Sequence, residues 1–94
     1  MHMRVVRFTD VDAERMSAML ARINASGGPP EGVRSSKIQV LFDEAQDTAV
    51  VLQHFANEQD MQDAAKVFGA MDASETPGTR SSVDACELKL ELSA

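Results

Sequence analysis

The chain has 94 residues and a net charge of −6, with nine Lys and Arg against fifteen Asp and Glu. This length predicts one domain over residues 1–94, and the acidic balance argues against binding to nucleic acid or to an anionic membrane surface. The single cysteine, Cys86, excludes an intramolecular disulfide and a cysteine-based metal site. With neither a signal peptide nor an apolar run of about 18 residues, the sequence predicts a cytoplasmic protein.

The first half of the chain predicts a strand, a helix and a hairpin. Residues 3–8 (MRVVRF) are β-branched and aromatic, as in a strand. The helix that follows is bounded by the good caps Thr9 and Asp10 and by the GGPP sequence after Ser26. Its apolar residues recur at helical spacing: Met16, Met19, Leu20 and Ile23. Residues 37–43 and 48–55 predict two strands joined by a polar turn, which is a β-hairpin.

The second half predicts a helix and a strand. Asn57 caps a helix over residues 58–72, whose apolar stripe is Met61, Ala64, Ala65, Phe68 and Met71. A loop with Pro77 and Gly78 leads to a last strand over residues 82–94. Cys86 alternates in phase with three leucines of this strand, and we therefore expect it to be a buried small hydrophobe: the set is Cys86, Leu88, Leu90 and Leu92.

The order β-α-β-β-α-β predicts a ferredoxin-like α+β domain, with a four-stranded antiparallel sheet and both helices on one face. Strand 48–55 is apolar on both faces, so we expect the second face of the sheet to be covered as well. No further chain is left to cover it, and we therefore predict a homodimer. Aspartate in place of Val51 or Leu41 is expected to dissociate or unfold it.

Three sequences resemble one known superfamily: PEGV after the first helix, the FDEAQDTAVVLQHF hairpin and the ANEQDM helix start. They are similar to the dimeric α/β-barrel superfamily, and most to its antibiotic-biosynthesis-monooxygenase-like branch. The resemblance covers about residues 3–92. It implies two ferredoxin-like sheets that face each other as a barrel. The implied activities include cofactor-independent oxidation of aromatic compounds, isomerisation and haem degradation, and many members have no known activity.

The residues of the haem-degrading relatives are missing from this chain. Those relatives have a Trp where Phe55 stands and use an Asn where Thr9 stands, together with a His in the second helix. Residues 58–72 contain no His, so haem degradation is not expected and no cofactor is predicted. The similar cofactor-independent oxygenases rely on Tyr, Trp and Asn around a phenolic substrate. The absence of Tyr and Trp weakens that assignment too.

His54 is the candidate catalytic residue, because it is the only histidine inside the predicted fold and stands at a strand end. An imidazole there can act as a general base near neutral pH. We favour the alternative, a structural histidine bonded to backbone or to a carboxylate. No second histidine has the spacing of a zinc site, so no metal is predicted. Four residues are candidates for lining a ligand pocket: Thr9, Phe55, Met61 and Phe68.

Three basic residues of the predicted strands allow two interpretations. Arg4, Arg7 and Lys37 either converge on an anionic ligand at the sheet face or pair with Glu87 and Glu91 across strands. We favour the ion pairs, each of which contributes little to stability.

Two functions remain open. The first is a small homodimer that binds a hydrophobic small molecule without demonstrable catalysis. The alternative is a cofactor-independent monooxygenase or isomerase-like enzyme that acts on an aromatic or polyketide-like substrate, with His54 in proton transfer.

Overall fold

The structure is a computed structural model that describes residues 1–28, 32–69 and 78–93. Its elements are β1 (His2–Thr9), α1 (Ala13–Ser26), β2 (Lys37–Asp43), β3 (Thr48–Phe55), α2 (Glu58–Gly69) and β4 (Thr79–Glu87). The strands form one antiparallel sheet in the order β2-β3-β1-β4. The predicted ferredoxin-like α+β fold is therefore confirmed. The predicted helical residues 70–72, with Met71, and the loop residue Pro77 lie outside the described residues.

Capping residues set both ends of helix α1. Its N-cap is Asp12, rather than Thr9 or Asp10, and the Asp12 carboxylate accepts a hydrogen bond from the backbone N–H of Arg15 at 2.8 Å. Gly27 follows the helix with φ of 72°, a left-handed conformation that glycine adopts without steric cost. The predicted end at Ser26 is confirmed.

The hairpin also matches its prediction. β2 pairs with β3 from Lys37 opposite His54 to Asp43 opposite Thr48. The polar turn between the strands contains a 3-10 helix over Glu44–Gln46. Strand boundaries are well predicted here because period-two alternation and a polar turn are both local signals.

The helices cover the central strands through two separate apolar clusters. The α1 cluster contains Val6, Phe8, Val11, Met16, Met19, Ala49 and Val51. The α2 cluster contains Val33, Phe55, Met61 and Ala64, with Val67 and Phe68 packed against it. Two positions predicted to be buried, Leu20 and Ala65, are instead exposed. No buried residue belongs to both clusters, so the core is divided across the middle of the sheet.

Strand β4 departs most from its prediction. It runs from residue 79 to 87 instead of from 82 to 94, and its ladder spans the whole of β1. The backbone N–H of Leu88 donates to the carbonyl of Met1 at 2.9 Å. Residues 88–93 pair with no strand among the described residues, so the strand that their alternating pattern predicts ends at Glu87. Leu90 and Leu92 are 73% and 84% exposed.

Cys86 is exposed, which corrects the prediction that it is buried. It lies opposite Met3 in the β1–β4 ladder, whereas the helix-facing residues of β1 are at even positions such as Val6. Directly paired residues of antiparallel strands share a face. Cys86 therefore stands on the sheet face that turns away from the helices.

We call that second face the open face. Its residues are Met3, Val5, Arg7, Lys37, Gln39, Leu41, Asp43, Thr48, Val50, Leu52, His54, Ser82, Asp84 and Cys86. A register shift after Arg7 pairs Arg80 with Phe8, which places Arg80 on the helix side. Leu41 is 53% exposed there. Val51, by contrast, belongs to the α1 cluster, so the expectation that both residues meet a partner is wrong for Val51.

Candidate functional site

His54 lies at the end of β3 on the open face, yet its side chain is buried, with 8% of its surface exposed. Its Nε2 is 2.9 Å from Oε1 of Gln39, across the β2–β3 pair. An amide oxygen only accepts, so Nε2 carries the proton in this arrangement and the neutral ring keeps a lone pair on Nδ1. Nδ1 is buried and has no hydrogen-bond partner among the described residues.

This geometry gives His54 a partner that neither interpretation anticipated. The partner is a neutral amide rather than a carboxylate or a backbone group. Nδ1 is the atom whose lone pair would take a proton from a substrate, but this atom is covered by protein. A substrate reaches it only if the neighbouring side chains move.

Three of the four predicted pocket residues lie together. Phe55 is fully buried in the α2 cluster, beside buried Met61, and Phe68 packs against both as a half-buried ring at the edge. Phe55 faces the helices while His54 faces away from them, as the alternation of β3 predicts. The two residues therefore do not line one pocket.

Thr9 stands apart from the other three. Phe55 pairs with His2 at one end of β1, and Thr9 is at the other end, roughly 23 Å away at the usual rise of a strand. Its hydroxyl donates to the carbonyl of Thr79 at 3.5 Å. Thr9 holds the start of β4 and does not reach the α2 cluster.

The basic residues do not converge as one interpretation required. Arg4 faces the helices, whereas Arg7 and Lys37 lie on the open face at opposite ends of the sheet. The expected cross-strand ion pairs are absent as well. The only ion pair among the described residues joins two exposed neighbours, Lys89 and Glu87, at 3.2 Å.

Arg4 is the most unusual residue of the structure, with a side chain only 7% exposed. It lies between the two apolar clusters, directly paired with Gln53 of β3. One terminal nitrogen, Nη1, donates to Oε1 of Gln53 at 3.2 Å, and the guanidinium carbon lies 4.8 Å from the centre of the Phe68 ring. Nε is buried and has no hydrogen-bond partner in the part of the chain that the structure describes.

The charge of Arg4 is not neutralised by any described carboxylate. Burial, and after it the positive charge of Arg80 on β4, lowers the pKa of Arg4. A guanidinium stays protonated at neutral pH even so, and burying it without a counter-ion costs several kcal/mol. The sequence did contain a signal: Arg4 has the same even spacing as Val6 and Phe8, which places all three on the buried face.

Comparisons of this chain with protein-family models, with curated proteins and with solved structures found no match. The fold and the site geometry therefore carry the functional argument. Neither described helix has the length and apolar character needed to cross a membrane. The described residues contain no group of three or more His, Cys, Asp or Glu side chains placed to hold a metal ion.

Proposed function

We propose that the protein is a small cytoplasmic homodimer that binds a hydrophobic small molecule on the helix side of each subunit. We further propose that it is related to the dimeric α/β-barrel superfamily, in the antibiotic-biosynthesis-monooxygenase-like branch. The sequence resemblance and the ferredoxin-like strand order support that relationship.

The observation that carries the binding proposal is the composition of the α2 cluster. Phe55 and Met61 are buried in it, and Phe68 packs against it as a ring that is only half-buried. Methionine side chains adapt to irregular apolar shapes, and a partly exposed ring offers a contact surface to an incoming apolar group. These features favour a ligand with a flat or flexible apolar body.

The open face supports the homodimer. Val5, Val50 and Leu52 are half-buried, and Leu41 is exposed. Arg7, paired with Val50, and Asp84, paired with Val5, add charges of both signs to this face. A surface that combines apolar side chains with charges of both signs can pair with a second copy of the same sheet, which presents the same surface.

The enzyme alternative rests on one observation, the unpartnered lone pair of His54 Nδ1. A monooxygenase or isomerase of the cofactor-independent kind needs such a base. Its burial under protein makes binding without catalysis the better supported function.

The binding proposal is tested with N-phenyl-1-naphthylamine, an uncharged apolar dye that fluoresces when it leaves water. We expect saturable binding of one dye per subunit. Phe68→Ala removes the aromatic edge and should weaken binding several-fold, whereas Leu20→Ala, at an exposed position of α1, should leave it unchanged. Equal dye binding by both variants, or none by the wild type, would refute the proposed site.

A further inference from the structure

We infer that the ligand on the helix side carries an anionic group, and that Arg4 is the residue that binds it. The ligand class is an apolar molecule with a single carboxylate or chemically similar anion. The inference deepens the proposed function and rests on it, because the anion site adjoins the α2 cluster.

The position of Arg4 supports an anion site. A guanidinium has five N–H donors, and in Arg4 one terminal nitrogen donates to the side chain of Gln53 while Nε has no partner among the described residues. The side chain is more than nine-tenths buried, so water does not readily take over the missing contact. Buried donors are nearly always satisfied in native proteins, and an unsatisfied one indicates a missing partner.

The charges around Arg4 also support an anion site. No described carboxylate lies within ion-pair distance of it, and the pKa of Arg4 is lowered by burial and then by a second cation, Arg80. Two like charges that repel each other are unfavourable in the free protein, and an anion bound to Arg4 relieves both the repulsion and the unmet hydrogen-bonding capacity. This arrangement suits an anion better than it suits a purely apolar ligand.

An aromatic ring, that of Phe68, adjoins the guanidinium of Arg4. The ring of Phe68 lies under the guanidinium, 4.8 Å from its carbon to the ring centre, and the same ring forms the edge of the α2 cluster. A ligand whose anion meets Arg4 therefore places its apolar body against Phe68. The contact to the ring also fixes the plane of the guanidinium, and a fixed plane favours the two parallel hydrogen bonds that a carboxylate accepts.

Fatty or aromatic carboxylates fit this combination of charge and apolar surface. A phosphate monoester carries nearly two negative charges, whereas only one of the two cations, Arg4, is buried and Arg80 is exposed. Nucleotides are disfavoured for the same reason and by the net charge of −6. The site therefore selects ligands that have one negative charge and an apolar body of modest size.

The experiment compares two displacers of bound N-phenyl-1-naphthylamine that share the naphthalene ring and differ in its substituent: 2-naphthoate has a carboxylate, and 2-naphthalenemethanol has a neutral hydroxymethyl group. The wild type should prefer the naphthoate by about tenfold or more, the contribution of one charge-assisted hydrogen bond. Arg4→Met should abolish the preference and keep the dye site. Arg7→Met removes the same charge from the open face and should keep the full preference.

Two further measurements secure the interpretation. Arg80→Gln, at an exposed position, should reduce the preference several-fold without affecting folding. The urea midpoint of Arg4→Met should be no lower than that of the wild type, because the variant replaces an unneutralised buried charge by an apolar side chain of similar length.

The outcomes separate the two proposals. If the dye binds and the wild type shows no preference for naphthoate, or if Arg4→Met keeps the preference, the anion site is wrong and the apolar site stands. If the dye and both displacers fail to bind, both proposals are wrong. Loss of the preference in Arg7→Met would also overturn the assignment to Arg4.

Discussion

Arg4 and His54 are the two residues whose buried nitrogens lack a partner, among those the structure describes, and the sheet places them on opposite faces. Arg4 lies under the helices between the two apolar clusters, and His54 lies on the open face beside Gln39. Natural sequences seldom retain buried, unsatisfied polar groups without a functional reason. Arg4 has a charge with no counter-ion, whereas His54 has a neutral ring with one good hydrogen bond, so the cost at Arg4 is greater.

At the residue scale, we predict that His54 is structural. His54→Ala removes a buried ring and its hydrogen bond to Gln39, and it should lower the free energy of unfolding by about 1–2 kcal/mol. Dye binding on the helix side should be unchanged, because the ring faces away from it. Urea denaturation followed by circular dichroism measures the first effect, and the dye titration measures the second.

Gln39→Ala is the matched variant, since it removes only the hydrogen-bond partner from an exposed position. It should cost less than His54→Ala. A His54→Ala protein that is as stable as the wild type, but loses a turnover found in a substrate screen, would show that His54 is catalytic.

At the scale of elements, the ends of β1 and β4 are held together by a close backbone approach at Gly78. A Cβ atom at this position would collide with the carbonyl oxygen of Thr9 and lie 3.0 Å from that of Asp10. Backbone atoms cannot give way as a flexible side chain does. Glycine is therefore required at the point where β4 starts, and the hydroxyl of Thr79 secures the same corner by donating to Asp10 at 3.3 Å.

We predict that Gly78→Ala destabilises the protein by about 1–3 kcal/mol, because the added methyl group overpacks this corner. Gly69→Ala is the control, since a Cβ at Gly69 meets no described residue within 4 Å and alanine favours the end of α2. The control should be neutral or stabilising by up to about 1 kcal/mol. Equal urea midpoints for the two variants would contradict the close approach.

At the scale of the whole molecule, the sheet has two different faces. The helix side holds a core divided into two clusters, with Arg4 and Gln53 between them. The open face carries the apolar side chains of Val5, Leu41, Val50 and Leu52, and Leu90 and Leu92, beyond the end of β4, are exposed. One face therefore suits a small ligand, and the other suits a second copy of the chain.

We predict that the protein sediments as a dimer of the 10.2 kDa chain at micromolar concentration. Leu41→Asp should shift it to a folded monomer, because residue 41 is exposed in one subunit and would place a charge in the interface. Val51→Asp is the contrasting variant, and it should unfold the subunit, because Val51 is buried in the α1 cluster.

Analytical ultracentrifugation and circular dichroism together distinguish these results. A wild type that sediments at the mass of one chain would remove the dimer proposal. A Leu41→Asp protein that remains dimeric would show that the interface does not lie on the open face.

The sequence by itself determined the elements with strong local signals. The end of α1 at Ser26 follows from the glycine after it, and the strands of the hairpin follow from alternation on both sides of a polar turn. Such signals act between residues that are near in sequence, so they need no knowledge of the rest of the fold. The ferredoxin-like order followed from the succession of these elements.

Only the tertiary structure decided which face each residue of β1 and β4 occupies. The even residues of β1 face the helices because Val6 and Phe8 are buried there, and this pairing sends Cys86 to the open face and Arg4 to the core. A shift of one residue in a strand pairing exchanges its two faces, and nothing local in residues 82–94 fixes that pairing. The position of Arg4, and with it the candidate site, is therefore a property of how distant strands pair.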